Sequence, residues 1–144
     1  MKNNKNIYKH VWIVYDVDDF PEESVNKVVS SCKALSNSET KYHAIWSNRC
    51  IEIWFLLHFD YIDSEIMPSE YYVKLNSYLL NMDRGEYEKN RQDMYDILEP
   101  RMEFAIQNAK RLAKVNLKKT AYESRPGTEV HKLIEKLLPY LHSC

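Results

Sequence analysis

Residues 11–15, Val-Trp-Ile-Val-Tyr, form an unbroken apolar run that ends at once in three carboxylates, Asp16, Asp18 and Asp19. A strand covered on both faces, as in a parallel sheet, carries such a run, whereas a half-solvated strand alternates polar and apolar residues. The acids then fall beyond the carboxyl end of the strand, where open α/β sheets keep their ligand sites. Residues two apart on an extended chain point the same way, so Asp16 and Asp18 are expected on one side. Two carboxylates so placed repel each other and call for a proton or a divalent cation, with Mg²⁺ the leading candidate. Acidic strand ends also occur in loops without a ligand, and the residues alone leave both readings open. Asp19 has a structural reading of its own, as N-cap of the next helix with Glu22 closing a capping box.

The pattern then changes period. Val25, Val28, Val29, Cys32 and Leu35 form one helical stripe over residues 21–35, followed by a polar break at residues 36–39. Alternation resumes at Tyr42, Ala44 and Trp46, which predicts a second strand over residues 41–46. Two strands joined by a helix are expected to be parallel neighbours with a right-handed crossover. Ser47 and Asn48 offer N-cap chemistry for a helix over residues 49–58, nearly all apolar, with one acid, Glu52, near its start. Parallel strands would bring Glu52 to the same sheet edge as Asp16 and Asp18. A carboxylate near a helix N-terminus is also favoured by the helix dipole alone.

Beyond Pro68 the chain reads as helical. Ser69 is placed to cap a helix carrying Tyr71, Tyr72, Leu75, Tyr78, Leu79 and Met82, and residues 83–86, with Gly85, break it. The three tyrosines have helical spacing and read as core. A weaker pattern through Tyr87, Met94, Ile97 and Leu98 leads to Pro100. A stronger helix follows with Met102, Ala105, Ile106, Ala109, Leu112 and Ala113. On its outer side Lys110, Arg111, Lys114 and Lys118 make a basic stripe, a candidate nucleic-acid surface that also fits an ordinary solvated face. Pro126-Gly127-Thr128 announces the last helix, with Thr128 as N-cap and Val130, Leu133, Ile134, Leu137, Leu138 and Leu141 along one side.

Composition narrows the class. With 144 residues, 44% apolar and 12% aromatic, the chain can bury a core and is not a disordered or low-complexity sequence. Three separated cysteines, Cys32, Cys50 and Cys144, fit neither a disulfide framework nor a zinc knuckle. The polar first nine residues hold no signal core and the longest apolar run is too short for a bilayer, so a cytoplasmic protein without membrane contact is expected. Charge is uneven: residues 1–100 hold 11 Lys/Arg against 17 Asp/Glu, and residues 101–144 hold 9 against 4. One domain over residues 1–144 is expected, with a β-α-β-α unit over 10–60 and a helical part over 68–144.

Three blocks together resemble the RloB-like family: Asp16-Val17-Asp18-Asp19-Phe20 after its strand, the run from Ser47 to Phe59, and Pro126-Gly127-Thr128-Glu129-Val130-His131. They occur in family order across residues 10–138. The middle block, Asn48-x-Cys50-x-Glu52-x-Trp54-x-Leu56-x-His58, is the most specific. The resemblance implies a domain related to the TOPRIM fold of topoisomerases, primases and some nucleases, found near restriction-modification and abortive-infection loci. On that basis the fold class is α/β, a partial TOPRIM-like core of about two parallel strands followed by a mainly helical C-terminal half. Asp16 and Asp18 match the Asp-x-Asp that holds magnesium, Glu52 matches the acid of the middle block with a metal or catalytic role, and His58 matches a position that reads as structural. Family members begin with a further strand ending in a glutamate, and nothing before His10 matches it. The sheet would then be narrow with unpaired edges, which implies a truncated form or a partner, including a second copy, that completes it.

Two functions follow as expectations. One is a Mg²⁺-dependent nuclease of a bacterial or phage defence system, with Asp16, Asp18 and Glu52 catalytic, DNA or RNA as substrate and an ATPase as partner. The other is a non-catalytic RloB-like protein that acts by binding a full-length defence protein as decoy, inhibitor or regulatory subunit. A phosphatase or nucleotide-processing enzyme using the same acids ranks below both, because Gly85 and Gly127 are the only glycines and no phosphate-cradling loop is present.

Overall fold

The computed structural model describes residues 8–141, and its order of elements is mixed α/β. Strand β1 (His10–Asp16) leads through helix α1 (Glu22–Leu35) to β2 (Lys41–Asn48), and the two strands pair in parallel from His10 opposite Lys41 to Asp16 opposite Ser47. Helices α2 (Glu52–Leu56), α3 (Pro68–Asn81), α4 (Met94–Leu98) and α5 (Met102–Val115) follow, with a single 3-10 turn at Glu99–Arg101 before α5. A two-residue strand, β3 (Gly127–Thr128), then adds to β2 antiparallel, and α6 (Val130–Leu141) closes the described chain. The sheet order is β1-β2-β3.

The period of two along the strands divides the core. Tyr15 and Trp46 pack with Val17, Val25, Val29, Ala121 and Tyr122 on the α1 side. Trp12 and Ile45 join the larger core on the other side, built around Ile53, Leu56, Leu57, Tyr71, Leu75, Leu79 and Leu112. Neighbouring residues of each strand thus serve opposite layers, as alternating side chains require. On β1 this cover is partial, against the expectation of a strand buried on both faces: Trp12 and Tyr15 are half-buried, while Ile13 and Val14 stay exposed.

Long-range pairing overrides several local signals. Ser47 and Asn48 do not cap a helix. They end β2, opposite Thr128 and Gly127, with the Ser47 and Thr128 hydroxyls 2.9 Å apart. The expected helix over residues 49–58 shrinks to Glu52–Leu56, flanked by turns. Asp19 is not the α1 cap either: the N-cap is Pro21 with no side-chain bond, because a turn closed by the Phe20 N–H on the Val17 carbonyl carries Asp19 away from the helix start. Ser69 yields its capping role to Glu70, whose carboxylate accepts the Met67 N–H at 2.6 Å. Thr128 ends β3 instead of standing at the N-cap position, which falls to Glu129, but its hydroxyl still accepts the N–H of Val130, the first residue of the last helix, at 3.2 Å. Gly127 is required where β3 meets β2, because a Cβ there would stand 2.9 Å from both the Ser124 carbonyl oxygen and the Trp46 ring. No helix among the described residues is long and apolar enough to cross a membrane.

Candidate functional site

The site is built where β1 and β2 end side by side. Beyond Asp16 the chain leaves the sheet through two backbone bonds to the β2 end: Val17 N–H to Ser47 O at 2.9 Å and Asp18 N–H to Arg49 O at 2.8 Å. Asp18 itself sits at φ +45°, a left-handed conformation that Asp tolerates better than most residues. The strand has therefore ended before Asp18, and the two acids come together through this turn rather than through alternation along an extended chain.

Asp16 is partly buried and carries the clearest electrostatic signature. Burial, then the negative charges of Asp18 and Glu52, push its carboxyl up to about 6, while the Ile51 backbone N–H and Lys89 pull against them. Glu52 is fully buried at the start of α2. The Tyr87 hydroxyl donates to its Oε1 at 2.8 Å, and its Oε2 has no hydrogen-bond partner among the described residues. Burial and the Glu52 carboxylate together push the Tyr87 hydroxyl and the Cys50 thiol well above their ordinary ranges, and Tyr72 is raised by burial and by Glu52. A buried acid walled by Cys50, Tyr72 and Tyr87 thus stands behind Asp16.

Asp19 is exposed and pairs with Arg49 at 3.4 Å, and Arg49 also reaches Glu65 at 3.6 Å. Asn48 is buried, and its amide donates to the carbonyls of Ala121 and Tyr122, both at 3.0 Å, which ties the segment before β3 to the site. His58 is fully buried, with Nδ1 donating to the Trp54 carbonyl at 2.9 Å. Burial lowers its pKa to about 4, so it is neutral near pH 7 and structural in place.

The basic stripe is less uniform than its spacing. Lys110 is engaged with Glu135 of α6 at 2.8 Å, and the Arg111 guanidinium lies 3.8 Å from the centroid of the Tyr61 ring. Lys114 and Lys118 are exposed without an ion pair among the described residues, and Lys118 lies past the end of α5.

The sequence marks Tyr72 and Tyr87 only as members of apolar patterns and Cys50 only as a position of the middle block, and it does not single out Lys89. An acid inside an apolar segment does signal that polar partners must exist, since buried charge needs them, but nothing local says that they lie 20 to 35 residues away. Among the described residues, no three His, Cys, Asp or Glu side chains converge closely enough to hold a metal ion. Magnesium ordinarily takes only one or two protein carboxylates and completes its shell with water and substrate phosphate. The acidic pair Asp16 and Asp18, with the buried Glu52 behind it, fits that mode.

The family model for RloB-like proteins matches residues 1–137. The chain belongs to the RloB-like family. Its Asp16, Asp18 and Glu52, and the Gly127–Thr128 strand that braces the end of β2, all lie within the matched region. Comparison with curated proteins and with solved structures gives no match.

Proposed function

We propose that this RloB-like protein is a Mg²⁺-dependent phosphodiesterase acting on nucleic acid in a bacterial or phage defence system, built on a TOPRIM-like strand pair. The observation that carries this reading is the place of Asp16: a partly exposed carboxyl at the end of a parallel strand, beside Asp18 and Glu52, pushed up by burial first and then by those two acids. Such a shift at a sheet's carboxyl edge is what a site meant for a cation produces when only protein groups are counted.

Asp16 and Asp18 would hold the ion. When bound, it supplies polarisation of a phosphoryl oxygen and neutralises charge on the leaving oxygen. The Ile51 N–H orients the Asp16 carboxylate. Glu52, fully buried and anchored by Tyr87, does not reach substrate and acts through its field on Asp16, as a positioning residue. Arg49 is bonded to the acidic turn through its carbonyl and held by two long ion pairs, so it offers a cation to an incoming phosphate. Lys114 and Lys118 are the freest of the four basic residues to follow a phosphate backbone, and their contribution falls as salt rises.

The test is incubation of the purified protein with single- and double-stranded DNA and RNA, with Mg²⁺ and with EDTA. Cleavage is expected with Mg²⁺ only and is lost in Asp16→Ala and Asp18→Ala proteins that keep the wild-type circular dichroism spectrum. Cleavage that survives both substitutions overturns the reading.

A second reading, a non-catalytic protein that binds a full-length RloB-like defence protein, is favoured by the outer edge of β1, unpaired among the described residues, and by the sealed position of Glu52. It is supported if the purified chain cleaves nothing and co-purifies with the full-length protein through β1.

A further inference from the structure

The outer edge of β1 has no partner strand among the described residues, and it lacks the devices that usually protect such an edge. The strand His10–Asp16 contains no Lys, no Pro and no bulge. Val14 is 54% exposed and Ile13 37%, and Phe20 just beyond the strand is 59% exposed. A cavity of about 300 Å³ opens beside this edge, lined by Ile13, Tyr15, Asp16, Phe20, Val25 and Val28 among others.

The hydrogen-bond parity of β1 says which groups are free. Lys9 O accepts from Lys41 and Val17 N–H donates to Ser47, so odd-numbered residues bond inward to β2. The N–H and C=O groups of His10, Trp12, Val14 and Asp16 therefore point out along the open edge. An antiparallel partner must pair even residues with even residues. For a second copy related by a twofold axis, the full-length register places that axis at Ile13, with Trp12 opposite Val14 and His10 opposite Asp16. This register has a charge argument in its favour. The strand runs from a basic end, Lys9 and His10, to an acidic end, Asp16 and Asp18, so antiparallel self-pairing sets each basic end against an acidic one. A parallel partner copy would set like against like.

We propose that β1 pairs with β1 of a second copy, antiparallel and centred on Ile13, so that two three-stranded sheets become one six-stranded sheet. The two Ile13 side chains then meet at the axis and close the apolar cavities of both copies, and His10 of each copy stands against Asp16 of the other. This proposal is independent of the phosphodiesterase reading, because it rests on edge exposure, parity and charge order rather than on cleavage.

Light scattering coupled to size exclusion tests the assembly, and cysteine cross-linking tests the register. The wild-type chain is expected at about twice its 17.2 kDa mass across a concentration series. Val14→Lys, which places a charge at an already exposed position, is expected at the mass of one chain with an unchanged circular dichroism spectrum. In a Cys144→Ser background, Ile13→Cys is expected to form a cross-linked dimer on oxidation, because directly opposed non-hydrogen-bonded residues stand close enough for a disulfide. Val14→Cys, opposite Trp12 in this register, is not. A wild-type monomer, a dimer untouched by Val14→Lys, or cross-linking through position 14 and not 13 would each overturn the proposal.

Discussion

Replacing Asp16 by Asn should stabilise the fold at neutral pH while abolishing the proposed reaction. Asp16 stands in the folded chain at about 6 against an ordinary 3.8, because burial and the charges of Asp18 and Glu52 oppose its ionisation. Two pKa units correspond to ~3 kcal/mol, and solvent screening at this partly exposed position reduces the net effect to about 1 kcal/mol. The sign follows from proton binding. The folded state holds the Asp16 proton to higher pH than the unfolded state, so this group's favourable contribution is complete below 3.8 and is lost as pH rises through about 6. Asn carries no such charge and keeps an oxygen to accept the Ile51 N–H. For a chain of this size, Asp16→Asn should therefore raise Tm by about 3–4 °C at neutral pH in EDTA. The gain should vanish at about pH 4, where Asp16 is already protonated in the wild type. Scanning calorimetry at the two pH values measures both. Equal melting temperatures at neutral pH, or a gain that persists unchanged in acid, would refute the electrostatic account of the site.

Four further outcomes follow from the same geometry. Glu52→Gln removes one of the two acids that raise Asp16, so the Asp16 carboxyl should titrate below its value of about 6, as followed by carbon NMR. Tyr87→Phe leaves the buried Glu52 carboxylate without its described donor and should cost about 2 kcal/mol, a fall in Tm of roughly 6–8 °C. Gly127→Ala forces a methyl group against the Ser124 carbonyl and the Trp46 ring and should cost about 1–3 kcal/mol by urea denaturation. Lys110→Ala breaks only a solvent-exposed pair with Glu135 and should cost less than ~1 kcal/mol, so a larger loss would show that the α5 and α6 contact depends on it.

The parts of this chain that were legible in its sequence are those decided by neighbours along the chain. The apolar run of β1, the stripe of α1 and the alternation into β2 each carry one period, and together they predict the parallel pair that the structure contains. The parts that were not legible are decided across long separations. Ser47 and Asn48 have the side chains of a helix cap, yet they extend β2 because Gly127 and Thr128, about 80 residues later, offer strand partners. Tyr87 reads as one member of a weak apolar pattern, and its hydroxyl gains meaning only when packing brings it to Glu52.

The same contrast explains how the site is held together. The family's middle block contains residues with separate duties: Asn48 fixes the segment before β3, Glu52 is the buried acid with the neutral Cys50 thiol beside it, and His58 pins the end of the apolar helix through the Trp54 carbonyl. None of the four needs to touch substrate for the block to matter, because each sets the position or the charge felt at the ends of β1 and β2. On the proposed reading the chemistry falls to Asp16, Asp18 and Arg49, whose positions are fixed by the backbone bonds from Val17 to Ser47 and from Asp18 to Arg49. A short sheet can thus present a rigid acidic edge without a third long strand, since the β2 end is braced by β3 on one side and by the acidic turn on the other.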